Sequence, residues 1–224
     1  MRILWRRLIA FGFRLLYNEL ACLYDPVSWL ASLGLWRRWQ RTALEFLPAP
    51  GARVLELGIG PGHLLAELAA RGYHVAGLDL SRAMVRRAGR RVRRLGLFTP
   101  GTPGTPGAAV CRGRAGALPF ASGSFDAALA TFPTAYIADP ACLDGLARVL
   151  RPGGRVVVVE EAVLDRRGLP SRLLEWLYRV TGQRGPGGPG LAAHLEAAGF
   201  RAWRENVPVE GTVLRLVLAE TPGE

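Results

Sequence analysis

The chain holds 224 residues, half of them hydrophobic and 21% charged, enough for one sizeable core and too apolar for a disordered or fibrous protein. Its three cysteines, Cys22, Cys111 and Cys142, form no CxxC pair, which argues against a disulfide framework, zinc ribbon or other metal site and for the reducing cytoplasm. All 29 basic residues are arginine, for a net charge of +11.

That charge is clustered. Nine arginines and no carboxylate lie between Ser81 and Ser124, and the first fifty residues carry seven arginines against Glu19, Asp25 and Glu45. Two basic surfaces are therefore expected, each suited to anionic lipid, nucleic acid or an acidic substrate. Arg14, Glu19, Asp25 and the Arg37-Arg38 pair interrupt the apolar N-terminus before it reaches the ~18 residues a membrane span requires. Nor is a secretory leader expected, because Arg14 closes the short apolar stretch over residues 8–13.

In chain order, residues 1–47 read as an amphipathic helical arm, with Leu4, Leu8, Phe11 and Leu15 on one helical spacing. Asp25-Pro26 is expected to break it, with a second helix over about 27–46. Trp5, Trp29, Trp36 and Trp39 sit beside arginines here, so the arm suits a membrane interface, with contact through residues 1–40; a helical cap on the next domain reads equally well.

From residue 48 to the end, short apolar runs alternate with helical stretches, an α/β signature. Strands are predicted at 53–57, 74–78, 108–112, 125–131, 155–160, about 202–207 and 213–218. Helices are predicted at about 63–70, 82–95, 140–150, 171–180 and 191–198. Ser81 suits an N-cap, Gly72 and Gly199 suit C-caps, and the last two strands, lacking room for a crossover, form an antiparallel hairpin. The Thr-Pro-Gly repeat over 99–107 and the GPGGPG run over 185–190 read as loops without chemistry. His63 reads as a first-turn helix residue, His74 as a structural strand residue, and His194 as a surface helix residue.

The most informative stretch is Val54-Leu55-Glu56-Leu57-Gly58-Ile59-Gly60-Pro61-Gly62-His63, a strand running through glycines into a helix. Such a turn brings the backbone close to a ligand and points helix N–H groups at an anionic group. Asp79, 21 residues after Gly58, suits the two hydroxyls of a ribose. The third glycine falls one place early for a dinucleotide fingerprint, and the absence of lysine excludes a P-loop.

Over about residues 51–220 the chain resembles class I S-adenosylmethionine-dependent methyltransferases, in the broad group that includes the ubiquinone and menaquinone biosynthesis enzymes. The resemblance rests on the ELGxGxG segment from Glu56 to Gly62, Asp79, Ala117-Leu118-Pro119-Phe120, Ser124-Phe125-Asp126 and Leu150-Arg151-Pro152-Gly153-Gly154. It implies a Rossmann-like, mostly parallel seven-stranded sheet with a C-terminal antiparallel hairpin and helices on both faces. It also implies S-adenosyl-L-methionine as methyl donor, with Gly58, Gly60 and Gly62 along its methionine and ribose portion, Glu56 toward its amino end, Asp79 on the ribose and Leu80 against adenine.

Arg114 stands where such enzymes usually place the carboxylate that meets the adenine amine, and an arginine offers only donors. Adenine is then expected on the backbone near Ala115 and Gly116 and on apolar contacts. By family position, Tyr24, Phe132 and Tyr136 are the expected substrate wall, and Thr131, which stands where amino-group methyltransferases acting on DNA or protein carry asparagine, is expected among the cofactor-binding residues. The sequence leaves three functions open: a methyltransferase acting on a small or lipophilic acceptor, such as a quinone precursor or phospholipid, near a membrane; an RNA methyltransferase using the arginine-rich helix; and a non-catalytic scaffold.

Overall fold

The computed structural model describes residues 11, 12, 15, 19–99, 106–164 and 190–223. The first helix expected in the arm lies largely outside the described residues. So do the helix expected over 171–180, the interior of the Thr-Pro-Gly repeat (100–105) and residues 185–189.

Strands β1 (Arg53–Leu57), β2 (His74–Asp79), β3 (Gly107–Arg112), β4 (Phe125–Thr131), β5 (Leu150–Leu164), β6 (Arg201–Val209) and β7 (Thr212–Glu220) form one sheet in the order β3-β2-β1-β4-β5-β7-β6. All neighbours run parallel except β7, which is antiparallel to both β5 and β6. The hairpin closes through Glu210 and Gly211, both at positive φ, which matches the twist of the paired strands.

Alternation along the strands assigns the two faces of the sheet. Val54, Val157 and Val159 pack with α3 (His63–Ala70) and α4 (Arg82–Arg94). Leu55, Leu57, Val156 and Val158 pack on the other side with α5 (Pro140–Val149) and α6 (Leu191–Ala197). Helix ends follow the expected chemistry: Ser81 caps α4 by accepting from the Met84 N–H at 3.2 Å, and Gly72 and Gly199 follow α3 and α6 at φ of 89° and 88°. Strand β5 starts five residues before the expected position, because Thr221 Oγ1 accepts from the Gly154 N–H and donates to the Arg151 carbonyl, tying the Pro152-Gly153-Gly154 segment to the end of β7.

The arm departs from expectation in two ways. Asp25-Pro26 does not break a helix: it lies in the first turn of α1 (Tyr24–Ala31), where the missing proline N–H has no intrahelical partner to lose. The continuous helix expected over 27–46 is split by Leu33 and Gly34 at φ of 52° and 83°, giving α1, α2 (Trp36–Thr42) and a 3-10 turn over Ala43–Phe46. The two helices have different surroundings. In α2, Trp39 is 1% exposed and donates from Nε1 to Thr212 Oγ1 at 3.0 Å, whereas α1 has no buried residue.

Candidate active site

The strand order reverses between β1 and β4, and the carboxyl ends of those strands open the crevice where sheets of this kind bind ligands. The glycine turn leaves β1 there. Gly58, Gly60 and Gly62 all have positive φ, from 52° to 75°, a region costly for residues with a Cβ. A Cβ on Gly62 would stand 2.5 Å from the Ala88 Cβ, so this glycine lets α3 and α4 approach. A Cβ on Gly58 would meet the Tyr136 hydroxyl at 2.8 Å, so Gly58 leaves room on the crevice side.

Asp79, at the end of β2, accepts from the Gly60 N–H at 3.0 Å on Oδ2 and from the Ser81 N–H at 2.8 Å on Oδ1. Each oxygen is thereby oriented and keeps a lone pair for a further donor. Burial raises its pKa, opposed by those two N–H groups. Glu56, inside β1, is fully enclosed; burial first, and the Asp79 charge second, push its carboxyl up to about 8. Its Oε2 has no hydrogen-bond partner among the described residues. A buried, unpartnered acceptor beside a second carboxylate suits an incoming cation with N–H donors, and the amino end of S-adenosylmethionine is one. The residues present therefore fit the cofactor: Glu56 toward its ammonium, Asp79 toward its ribose and the glycine turn along its length.

Leu80, directly after β2, is exposed and free to lie against a planar ring. Ala115 and Gly116 form the turn after β3, beside α5, and the Gly113 N–H donates to the Asp79 carbonyl at 3.1 Å, joining this turn to the carboxylate's strand. Arg114 is exposed on the same turn.

Two of the three expected wall residues flank the glycines. Tyr136 reaches the Leu57 carbonyl at 3.4 Å from its hydroxyl, over Gly58, while the Tyr24 ring lies 4.0 Å from where a Gly60 Cβ would stand. Phe132, at φ 51° after β4, is stacked on Trp36 at 4.5 Å between centroids and lies 5.9 Å from Trp39. Thr131 accepts from Gln40 Nε2 at 3.1 Å.

Gln40 and Trp36 are site neighbours that sequence reasoning missed; their spacing with Trp39 on one helix was the available signal. A second group also went unseen. His63 begins α3 and donates from Nε2 to Asp25 Oδ1 at 3.0 Å, while Arg37 donates to Nδ1 and Arg91 lies against the same ring. Burial, then the Arg37 and Arg91 charges, hold the imidazole down at about 4, so it is neutral at physiological pH. Cys142, on the buried face of α5, has its thiol pushed up to about 12 by burial and Asp139, and Cys111 is half-buried.

The doubly wound sheet, glycine turn and paired carboxylates define the class of nucleoside-cofactor enzymes to which class I methyltransferases belong. Residues 54–154 match a family described as "Methyltransferase domain". The chain is 39% identical over 147 residues to a demethylmenaquinone methyltransferase of Beutenbergia cavernae, spanning 65% of this chain and 56% of that protein. A demethylmenaquinone methyltransferase of Mycobacterium sp. (strain KMS) is 30% identical across 92% of this chain and 93% of its own length. A 2-phytyl-1,4-naphtoquinone methyltransferase of Synechococcus elongatus is 36% identical over 74% of this chain and 68% of its own length. Among solved structures, a phosphoethanolamine N-methyltransferase of Haemonchus contortus in complex with S-adenosyl-L-methionine shares the fold, with a TM-score of 0.61 at 17% identity over 84% of this chain and 53% of that one. The chain belongs to the S-adenosylmethionine-dependent methyltransferases, in the group that includes the ubiquinone and menaquinone biosynthesis enzymes.

Proposed function

We propose that this methyltransferase acts on a lipophilic quinone precursor presented from a membrane surface. The observation that carries this reading is the pair of tyrosines over the glycine turn, Tyr24 on Gly60 and Tyr136 on Gly58, which gives a planar ring an aromatic wall beside the donor site. The quinone-type acceptors named for the relatives agree with that wall.

The bound cofactor supplies a methyl group on a sulfonium, transferred by in-line displacement, so alignment and exclusion of water carry much of the rate. Asp79 fixes the ribose, Glu56 takes the ammonium, and Tyr24 and Tyr136 hold the acceptor ring and narrow the access of water. Gln40, by donating to Thr131, holds the wall at the end of β4 against the arm.

The test supplies purified protein with isotopically labelled S-adenosylmethionine and either a demethylated naphthoquinone or a phospholipid with a free amino headgroup. Labelled naphthoquinone is the expected product, and label only in the phospholipid overturns the reading. Asp79→Ala is the cofactor control: losing charge-assisted bonds to two hydroxyls weakens binding about 100-fold by calorimetry. Glu56 adds a pH signature. Its pKa of about 8 falls when an ammonium arrives, so just below pH 8 binding releases a proton and affinity rises with pH. Glu56→Gln removes both the proton release and that slope.

A further inference from the structure

The described residues carry an apolar stripe and a basic ridge that the chemistry above does not use, and they lie side by side. On the stripe, Leu23, Val27 and Leu30 are 46%, 44% and 67% exposed and recur at four- and three-residue steps on one side, with Leu20, 43% exposed, in the turn before them. The opposite side of α1 is engaged: Asp25 meets His63, Arg87 at 3.8 Å and Arg91 at 4.0 Å, and Tyr24 faces the glycine turn. The stripe therefore points away from the rest of the described residues.

On the ridge, Arg82, Arg86 and Arg90 are exposed at successive four-residue steps of α4, while Met84, Ala88, Gly89 and Val92 face the core. Between stripe and ridge lies a cavity of about 370 Å³ lined by Ala21, Ala83, Arg86, Arg87, Arg90 and Glu19. The Arg87 Nε is buried there without a hydrogen-bond partner. Three guanidinium groups against one carboxylate leave the cavity positive, and a phosphate diester offers the acceptors that Nε lacks.

We propose that the outer face of α1 and the arginine ridge of α4 form one docking surface for an anionic phospholipid bilayer. The stripe enters the boundary between headgroups and acyl chains, and the groove holds a lipid phosphate. The joined apolar stripe selects a bilayer over a polyanion such as RNA, which would leave Leu23, Val27 and Leu30 in water. Docked this way, α1 lies between the bilayer and the glycine turn, with Tyr24 on its inner side where a lipophilic acceptor meets the donor site. The inference rests on the lipophilic-acceptor reading in that last respect alone.

The test is sedimentation of the full chain with vesicles of phosphatidylcholine, with and without phosphatidylglycerol, across a salt series. Wild-type protein is expected to bind the anionic vesicles at least tenfold better than the neutral ones. Arg86→Gln/Arg90→Gln is expected to lower that binding about tenfold and flatten its salt dependence. Leu23→Ser/Leu30→Ser is expected to lower it comparably at every salt concentration. Both variants should bind S-adenosylhomocysteine as wild type does and methylate a short-chain, water-soluble naphthoquinone at an unchanged rate, which separates failure of the docking surface from failure of the acceptor reading. Equal binding to neutral and anionic vesicles, or retention of RNA without any vesicle binding, would each overturn the proposal.

Discussion

The two helices of the arm are both rich in apolar and aromatic residues, yet the fold uses them in opposite ways. Helix α2 turns Trp39 into the core beside the β6–β7 hairpin and lays Trp36 on Phe132, so it forms part of the wall at the end of β4. Helix α1 has no fully buried residue and is held through charge, by Asp25 among His63, Arg87 and Arg91. What separates them is the partner each meets. The Trp39 indole is apolar over its body and finds one acceptor, Thr212 Oγ1, for its N–H, whereas the outer residues Leu23, Val27 and Leu30 of the α1 region stay exposed among the described residues. Aromatic content alone does not decide which face a helix buries; a matched partner on the sheet does.

The sharpest way to break this contrast is Trp39→Ala. Removing a fully enclosed indole leaves a cavity and unpairs Thr212 Oγ1 from its donor, so a loss of about 3–5 kcal/mol is expected in chemical denaturation. If the loss stays below about 1 kcal/mol, α2 is not part of the core. Next in size is Asp25→Asn, which removes the carboxylate from a partly exposed cluster containing Arg37, Arg87 and Arg91. Partly exposed ion pairs are each weak, so α1 should open more easily by about 1 kcal/mol, read as roughly fivefold faster amide exchange over residues 24–31. Global stability should move by less than about 0.5 kcal/mol. A global loss approaching that of Trp39→Ala would mean that the two helices fold as one unit.

The sheet and the cofactor turn were legible because both are written locally. Glycines after an apolar strand, a carboxylate after the next strand and Ser81 at a cap act over a few residues, and their spacing survives folding. The arm was less legible for reasons visible at particular residues. Pro26 reads as a break unless the helix start is known to fall at Tyr24, two residues earlier. Leu33 at φ 52° carries no compositional signal, although its neighbour Gly34 does. The Gln40–Thr131 bond spans 91 residues and the Trp39–Thr212 bond 173, so no periodicity announces either. The His63 cluster draws on α1, α2, α3 and α4 at once, so its chemistry exists only after those helices have packed.

A pH-dependent effect follows from that imidazole. Its pKa is about 4 in the folded chain against 6.5 when free, so the folded state binds fewer protons between these values. Its contribution is fully present above pH 6.5 and is lost as pH falls toward 4. Protonation strengthens the contact with Asp25 of α1 but takes away the Nδ1 acceptor of Arg37 and sets that α2 guanidinium against an imidazolium, so acidification should loosen α2 before α1. Amide exchange over residues 36–42, corrected for intrinsic rates, should rise between pH 6.5 and 5 before that over 24–31 does. Simultaneous loss would show that α1 and α2 respond to the protonation as one unit.

The smallest stability change is expected from Leu23→Ser/Leu30→Ser, and its smallness is the point. Leu23 and Leu30 are 46% and 67% exposed in the free protein, so replacing them removes little buried apolar surface, and serine alters helix propensity by only a few tenths of a kcal/mol per residue. The denaturation midpoint should shift by less than about 2 °C, corresponding to roughly 0.5 kcal/mol. The same changes on a face buried in the core would cost several times more. A large loss of stability would place these side chains against protein and end the contrast with α2, whereas a silent change leaves them available to a surface outside the chain.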